Sequence, residues 1–467
     1  MSKPKIVFYG GLIYSDRAIL YNPEIKVLTD KYDIELWTQY ASVYKSDLVK
    51  IRYAKLVGNL EKPWYLKYLR YINTAAHDKK YNSRARLFNK REAYKSVLGI
   101  SIYCFGLFIY YFKLLEIFEK LISKVHILIV KDSEFEQLLD KVKPSVVILT
   151  WPYRASNVTL ASICKGRGIS TVASVLGIDN LTTKERMLDI HDHYWVWSGY
   201  MESQLKDMYV SVGENRVFRV GAIQYGGLID FSKKRLIGVY NCSDERIKIL
   251  FCLGSPNLIQ EHHVLIDLLK YIKEGKHERD FFLLIRPHPG FSDDKSHSDM
   301  LAQLQRSYYE FCQLQDCISN VNDDFMAQWS SAISEADIVI SCNSTLLIDS
   351  VISRKRTWNI NFSSNVDTHR LLNEEIAHWH HVMDMQLLLP LKNLSSFDEL
   401  TDSLNNFKLS NEKHKDFILD DDDINKIEYL SGINLKESNL SKCIGKNYCS
   451  AVSQSLELLL ETRKVEK

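Results

Sequence analysis

The sequence lacks several patterns that would assign a protein class at once. Its nine cysteines are scattered without a CxxC pair, which fits a reducing compartment better than a disulfide framework. The formal net charge is only +2, so no nucleic-acid partner is indicated. No GxSxG, Walker A or HExxH motif occurs, and no histidine group stands at a recognised zinc spacing. We therefore expect no metal and no bound cofactor.

A long N-terminal hydrophobic segment is also missing. The chain starts MSKPKIVFYGG, and an apolar run of about six residues is too short for the core of a signal peptide. The run predicts a first β-strand instead. Together with the cysteine usage, it predicts a cytoplasmic protein.

The longest uncharged stretch covers residues 97–112, slightly short of the roughly 17–25 residues that span a bilayer. A basic stretch precedes it over residues 77–95, and apolar residues at helical spacing follow it. Three interpretations are open: a buried helix, a transmembrane helix, or a membrane-surface element within residues 78–125. The last would hold the protein at the inner face of the cytoplasmic membrane.

A chain of 467 residues is too long for one ordinary core and predicts two domains. Continuous apolar runs alternate with helical patterns, which is typical of α/β domains with buried parallel sheets. The expected division is an N-terminal Rossmann-like domain (1–222), a linker (223–246), a C-terminal Rossmann-like domain (247–395) and a helical tail (396–467) that packs back on the first domain. The predicted strands include 5–9, 145–150, 170–174, 248–253, 281–286, 317–321 and 337–341, and the predicted helices include 155–167, 258–273, 301–314 and 345–353.

The run LLIRPHPGF ends a predicted strand with two functional side chains. Arg286 and His288 are two residues apart, so on an extended strand end they face the same side. An arginine fork binds phosphate, and a neighbouring histidine can add a hydrogen bond or a proton. The alternative is purely structural, with Arg286 pairing with an acid and His288 capping a turn.

A second predicted strand, ADIVIS, is followed closely by Asn343, Ser344 and Thr345, which are good N-cap candidates for the next helix. Their hydroxyls and backbone N–H groups could hold a phosphate at the start of the next helix. Asp349 follows one helical turn later and is assigned to the donor nucleotide or sugar, as are Gly254 and Ser255 after the strand 248–253. A plain helix cap is the alternative.

In the first domain the loop GIDNLTTKERM follows a predicted strand. Asp179 is the candidate general base, because a strand-end loop would aim its carboxylate into an interdomain cleft. Asn180, and Gly10 and Gly11 after the first strand, are candidates to line that cleft. The structural alternative is that Asp179 and Asn180 form a helix-capping turn.

These motifs resemble a known group. RPHPG followed by CNSTLLID resembles the paired HP and Ser-Ser/Ser-Thr motifs of bacterial surface-polysaccharide transferases with the GT-B fold. That group includes polysialyltransferases, capsule Kdo transferases and CDP-glycerol glycerophosphotransferases. GIDNLTTKERM, HYWVWSGYMESQL and VFRVGAIQYG resemble the end of the first domain in the same proteins. The resemblance covers roughly residues 145–360, while the first 130 residues match no motif, and AIQYGG stands where a proline and an acid are expected.

The resemblance implies two Rossmann-like domains facing a cleft, and a metal-independent transfer of a sugar from a nucleotide-activated donor to a capsule, O-antigen or similar glycan. It places Arg286, His288, Ser344 and Thr345 at the donor phosphates and Asp349 near the nucleotide. Three alternatives are open: a CDP-alditol phosphotransferase, a sugar-nucleotide epimerase, and a non-catalytic partner in polysaccharide assembly.

Overall fold

The structure is a computed structural model of the chain. The residues it describes are 3–10, 13–22, 25–54, 64–209, 212–225, 238–243, 245–255, 259–275, 280–288, 295–315, 323–407, 417–433, 435 and 451–462.

Two compact units make up the protein. The first contains Met1–Gly227 and, after the chain returns, Glu428–Lys467, and the second contains Leu228–Ile427. Half of the expected linker, residues 226–237, lies outside the described residues. Each unit is built on one parallel sheet, which confirms the prediction of two Rossmann-like α/β domains.

The first unit carries a seven-stranded sheet in the order β3-β2-β1-β4-β5-β6-β7. The inner strands are continuous apolar runs because both faces of the sheet are covered. Its strands are β1 (Lys5–Tyr9), β2 (Asp33–Thr38), β3 (Lys50–Tyr53), β4 (Val146–Leu149), β5 (Ser170–Ser174), β6 (His193–Val196) and β7 (Val217–Arg219). Its helices are α1 (Ile13–Leu20), α2 (Ile25–Lys31), α3 (Tyr65–Tyr81), α4 (Arg84–Lys90), α5 (Val97–Tyr111), α6 (Leu115–Ile129), α7 (Ser133–Val142), α8 (Ala155–Gly166), α9 (Asn180–Thr183) and α10 (Gly199–Met208).

The C-terminal part of the chain belongs to this first core. Residues 451–462 are helical, and Val452, Leu456 and Leu459 pack with Ile6 and Trp195 on one face of the sheet. Ser455 contacts the same strand region, since its hydroxyl accepts a hydrogen bond from Trp195 Nε1 at 2.9 Å.

A buried ionic cluster lies among α3, α4 and α6 and the chain before β6. Arg86 pairs with Asp78 at 2.5 Å, and both side chains are buried. Arg186 pairs with Glu119 and is also buried. Arg86 donates to the backbone carbonyl of Lys184 at 3.2 Å. The basic stretch 77–95 is therefore only partly a solvent-facing surface, because Arg86 serves as an internal cation that holds the 180–187 segment.

The second unit carries a six-stranded sheet in the order β10-β9-β8-β11-β12-β13, with every pair parallel. Its strands are β8 (Ile247–Cys252), β9 (Phe281–Arg286), β10 (Cys312–Leu314), β11 (Ile338–Ser341), β12 (Arg356–Ile360) and β13 (Lys392–Leu394). Its helices are α11 (His262–Lys273), α12 (Lys295–Ser307), α13 (Asp323–Glu335), α14 (Leu346–Ile352), α15 (Val366–Glu374), α16 (His380–Leu388) and α17 (Phe397–Asn405), and α18 (Asp421–Ser431) contains the point where the chain passes back to the first unit.

One element prediction was wrong. The expected helix over 301–314 ends at Ser307, and β10 (Cys312–Leu314) follows it as an edge strand. The expected strand over 317–321 lies outside the described residues. Among the helices that the structure does describe, none has the length and apolar character needed to cross a bilayer.

Candidate functional site

The carboxyl edge of the second sheet is the place where the predicted donor residues meet. Register aligns Arg286 with Cys252, Cys252 with Ser341, and Ser341 with Asn359. β9 and β10 lie on one side of β8 in the sheet, and β11, β12 and β13, which follow in sequence, lie on its other side. The strand order therefore reverses between β8 and β11, and ligands of open α/β sheets bind beyond the strand ends at such a point.

Arg286 ends β9 and is held in one orientation. Its guanidinium carbon lies 3.7 Å from the ring centroid of Trp329, and Nη1 donates to Gln315 Oε1 at 3.3 Å. The side chain is buried. Stacking and a side-chain hydrogen bond orient the planar fork in advance, so less rotamer freedom is lost when it meets an anion.

His288 follows two residues later and is exposed as a residue. Partial burial of the ring, and then the positive charge of Arg286, lower the pKa of His288 below its usual value. The imidazole is therefore neutral at neutral pH in the free protein. The last two residues of the RPHPG motif, Pro289 and Gly290, lie outside the described residues.

Asn343 is the centre of an amide cluster at the ends of β11 and β12. Its backbone N–H donates to Asn359 Oδ1 at 2.8 Å, and its Nδ2 donates to Asn361 Oδ1 at 3.0 Å. Its Oδ1 accepts from Asn359 Nδ2 at 3.0 Å and from Gln386 Nε2 at 2.9 Å. The residue adopts φ 44°, which asparagine tolerates better than most side chains. These bonds give Asn343 a role in shaping the turn that presents Ser344.

Ser344 and Thr345 sit half-buried before α14. Ser344 Oγ accepts from the N–H of Leu346 at 3.3 Å, while Thr345 makes no side-chain cap. Because α14 has only seven residues, its dipole is short, so an anion placed here would rely on the two hydroxyls more than on the helix. Asp349 is half-buried one turn into the helix.

Glu261 is a buried acid near the end of β8 that the sequence did not single out. It precedes α11 and is buried, and its Oε1 accepts from the backbone N–H of Gly254 at 2.9 Å. A Cβ added at Gly254 would lie 2.5 Å from that oxygen. Burial raises the pKa of Glu261 to about 8. The sequence predicts a helix over 258–273, which makes Glu261 an ordinary helix residue. Nothing in the sequence therefore indicated its contact with Gly254.

In the first unit Gly10 directly follows β1 and donates its N–H to Trp37 O at 3.0 Å. A side chain there would collide with the carboxylate of Asp16. Asp16 is buried and accepts from Thr38 Oγ1 at 2.5 Å. Asp16 was not predicted as a site residue, and Gly11 lies outside the described residues.

Asp179 stands in the loop after β5 and holds a turn. Its Oδ2 accepts from Thr183 Oγ1 at 2.8 Å, and its carbonyl accepts from the N–H of Thr183 at 2.8 Å. With the Asn180 amide nitrogen facing Asp179, the distance to Oδ1 is 3.2 Å and the Asn180 oxygen accepts from Gly177 N–H at 3.1 Å. Asp179 is half-exposed and Asn180 is buried. Asp179 directly precedes α9 but its side chain does not cap the helix backbone, so these contacts hold a local turn. The general-base role stays a prediction.

The part of the chain that the structure describes contains no preformed metal site. No group of three or more His, Cys, Asp or Glu side chains is placed there to hold an ion.

No family model matches the chain, and no curated protein matches it. Among solved structures, a UDP-GlcNAc 2-epimerase from Neisseria meningitidis bound to UDP-GlcNAc is 11% identical with a TM-score of 0.49, covering 97% of this chain and 100% of its own. An S. aureus MnaA–UDP structure is 10% identical, with a TM-score of 0.47 and coverage of 96% and 94%. A glycosyltransferase from Rickettsia africae ESF-5 is 12% identical, with a TM-score of 0.43 and coverage of 99% and 97%. At these identities and TM-scores, the similarities carry no argument for the activity or ligand of this chain.

Proposed function

We propose that the protein is a glycosyltransferase that moves a sugar from a nucleotide-activated donor to a bacterial surface polysaccharide. The observation that carries the proposal is the alignment of Arg286, Cys252 and Ser341 across three neighbouring strands at the point where strand order reverses. Two strand spacings put the ends of β9 and β11 roughly 10 Å apart. A phosphate group lying above β8 would be within reach of side chains from both ends.

The proposed chemistry is electrostatic stabilisation of the leaving nucleotide. Arg286 supplies a fixed positive charge, and the hydroxyls of Ser344 and Thr345 supply donors from the other side. Oriented groups of this kind stabilise developing phosphate charge without reorganising during the reaction.

His288 would add a hydrogen bond from a neutral ring. An approaching phosphate raises the pKa of a nearby imidazole, because an opposite charge favours the charged form. His288 would then hold a proton on the phosphate side as negative charge grows there.

The acceptor part of the proposal comes from the sequence resemblance over residues 145–360. Asp179 is proposed as the base that takes the acceptor hydroxyl proton. Asp349, Gly254 and Ser255 are proposed to contact the donor nucleotide or sugar, and Asn343 to position Ser344.

A nucleotide panel tests the donor site. Wild-type protein is heated with CMP, CDP, UDP, GDP or dTDP compounds, and the matching nucleotide should raise the melting temperature, since saturation to 100 times Kd stabilises by about 2.7 kcal/mol. His288→Ala and Ser344→Ala should lose most of that shift. The exposed residues His378 and Ser307 provide matched alanine controls that should keep it. Full shifts in both site variants would remove the phosphate-site assignment.

Turnover separates the catalytic alternatives. Release of the free nucleotide that depends on an added glycan supports the transferase. Interconversion of a UDP-sugar without any acceptor identifies an epimerase. Such an enzyme needs more than one titratable group, and Glu261 would be a second candidate in addition to His288. Turnover of CDP-glycerol identifies the alditol phosphotransferase, and nucleotide binding without any turnover identifies a non-catalytic partner.

A further inference from the structure

Helix α5 has one buried face and one exposed face, although it contains no charged residue. Its buried face consists of Gly99, Ile102, Gly106 and Ile109. At Gly106 the helix lies so close to α3 that an added Cβ would come within 2.6 Å of Ala75 Cβ. Packing on α3 therefore fixes which side of α5 is turned outward.

The outward side is mostly apolar, with the exposed hydroxyl of Ser101 between Val97 and Phe105, and exposed apolar residues follow in α6. We call it the apolar face and define it by six exposed side chains: Val97, Phe105, Phe108, Phe112, Ile117 and Leu121. Exposed fractions reach 84% at Val97, 60% at Phe105 and 67% at Ile117. The spacing along the chain is eight residues from Val97 to Phe105, three to Phe108 and four to Phe112, which directly follows α5. These spacings place the four side chains near one side of the helix. Contiguous exposed apolar surface of this kind marks an interaction site.

Exposed cations lie before, between and after the residues of the apolar face along the chain. Between residues 91 and 124 the exposed charged side chains are five cations and two acids, which leaves an excess of three positive charges. The cations are Arg91, Lys95, Lys113, Lys120 and Lys124, and the acids are Glu92 and Glu116.

We propose that the apolar face docks onto an anionic lipid bilayer, with α5 lying in the plane of the headgroups. Apolar side chains of an interfacial helix reach the headgroup–acyl boundary while lysines beside them meet anionic headgroups. The aromatic rings of Phe105 and Phe108 add large apolar contact area at that depth.

Charge argues against a second copy of the chain as the occupant. A two-fold contact places the same surface patch on both partners. Such a contact at the apolar face would bring the cations of one copy against those of the other. An anionic bilayer is complementary both to the apolar face and to the excess of exposed positive charge next to it in the chain.

The structure also moves the lipid contact along the chain. Arg86 is buried in the ionic cluster with Asp78, so it does not face lipid. The contact runs instead through α5, the turn at Lys113, and the exposed side of α6. This inference goes beyond the transferase proposal and does not rest on it, because it uses only surface residues of the first unit.

The test is co-sedimentation of the full chain with vesicles. Vesicles of phosphatidylcholine alone are compared with equal parts of phosphatidylcholine and phosphatidylglycerol. We expect wild type to bind the mixed vesicles, and to lose most binding when NaCl rises from about 0.1 to 0.5 M. The double variant Phe105→Glu/Phe108→Glu should bind at least about tenfold more weakly, and Lys120→Glu/Lys124→Glu should weaken binding to the mixed vesicles.

The matched control is Val366→Glu/Leu387→Glu, which changes two exposed apolar residues of the second unit and should bind as wild type. Equal melting temperatures of the variants and wild type show that the fold is kept. No binding of wild type to either vesicle, or unchanged binding of the Phe105/Phe108 variant, overturns the proposal. So does a wild-type dimer that the Phe105/Phe108 variant converts to a monomer without any vesicle binding. Nucleotide-induced thermal shifts should be unaffected by these variants, so this test and that of the donor site fail separately.

Discussion

Glu261 and Gly254 are joined by a hydrogen bond of 2.9 Å from the glycine N–H to the carboxyl Oε1. The second oxygen, Oε2, is buried without a hydrogen-bond partner within the described part of the chain. Protonation of that oxygen removes a buried charge, which is why burial raises the pKa to about 8 from 4.5. The end of β8 thus rests on a carboxyl group that is mostly neutral at neutral pH.

Glu261→Gln should become relatively more stable than wild type as pH rises. The folded protein binds the Glu261 proton more tightly than the unfolded chain, so its stabilising effect is complete below pH 4.5 and is lost as pH rises to about 8. Each pH unit in that window removes up to about 1.4 kcal/mol from wild type relative to the variant. Melting temperatures of both proteins across the window measure the difference. Parallel curves would show that Glu261 does not titrate this way.

Gly254→Ala should destabilise the second unit by about 1–3 kcal/mol, because the new Cβ would lie 2.5 Å from Glu261 Oε1. The cost should shrink in a Glu261→Ala background, where that oxygen is absent. Gly213→Ala is the control, since no atom lies within 4 Å of an added Cβ there. Urea unfolding of the two single variants and the double variant gives the coupling energy, and additive effects would contradict a direct contact.

Trp329→Leu should weaken nucleotide binding by about 1 kcal/mol, because it removes the ring beneath the Arg286 guanidinium and leaves the charge. Arg286→Lys should weaken it further, since lysine lacks the planar fork. Arg356→Lys alters another arginine over an aromatic ring, Phe407, and should bind as wild type. Calorimetric titration with the nucleotide found in the panel measures all three. Equal nucleotide affinities of all three variants and wild type would show that Arg286 does not contact the nucleotide.

Asp78→Asn should destabilise the first unit by about 3–5 kcal/mol, because it leaves the buried Arg86 cation without its counter-charge. The exposed pair of Arg370 and Glu374 gives the control, and Glu374→Gln should cost less than about 1 kcal/mol. Free energies of unfolding in urea compare the two. A small loss in Asp78→Asn would mean that Arg86 finds enough other partners.

The sheets were predictable where strands are buried on both faces. Val146–Leu149 is an unbroken apolar run, and Phe281–Arg286 is one up to its final arginine, so their positions follow closely from the runs. Edge strands gave a weaker signal: Cys312–Leu314 is partly exposed and only three residues long. Its residues continued a helical pattern from α12, which is why a helix was expected.

In the candidate site, only the residues at or next to the ends of predicted strands could be predicted from the sequence. Arg286 and Ser344 follow recognisable strand ends, so their shared edge follows from parallel topology. Trp329 and Glu261 reach the same edge from other elements, and nothing in their local sequence distinguishes them from core or cap residues. Asn343 is predicted at the phosphate because it precedes a helix together with Ser344 and Thr345. Its amide partners Asn359 and Gln386 are distant in sequence, so its part in an amide cluster could not be predicted.

Val452, Leu456 and Leu459 pack against β-strands that begin at Lys5. A ribosome makes the first unit's sheet long before it makes this last helix, and domains generally fold as units during synthesis. The first unit must therefore wait, with part of one sheet face uncovered, until the whole second unit has been translated. Truncation near the C-terminus would harm the N-terminal domain.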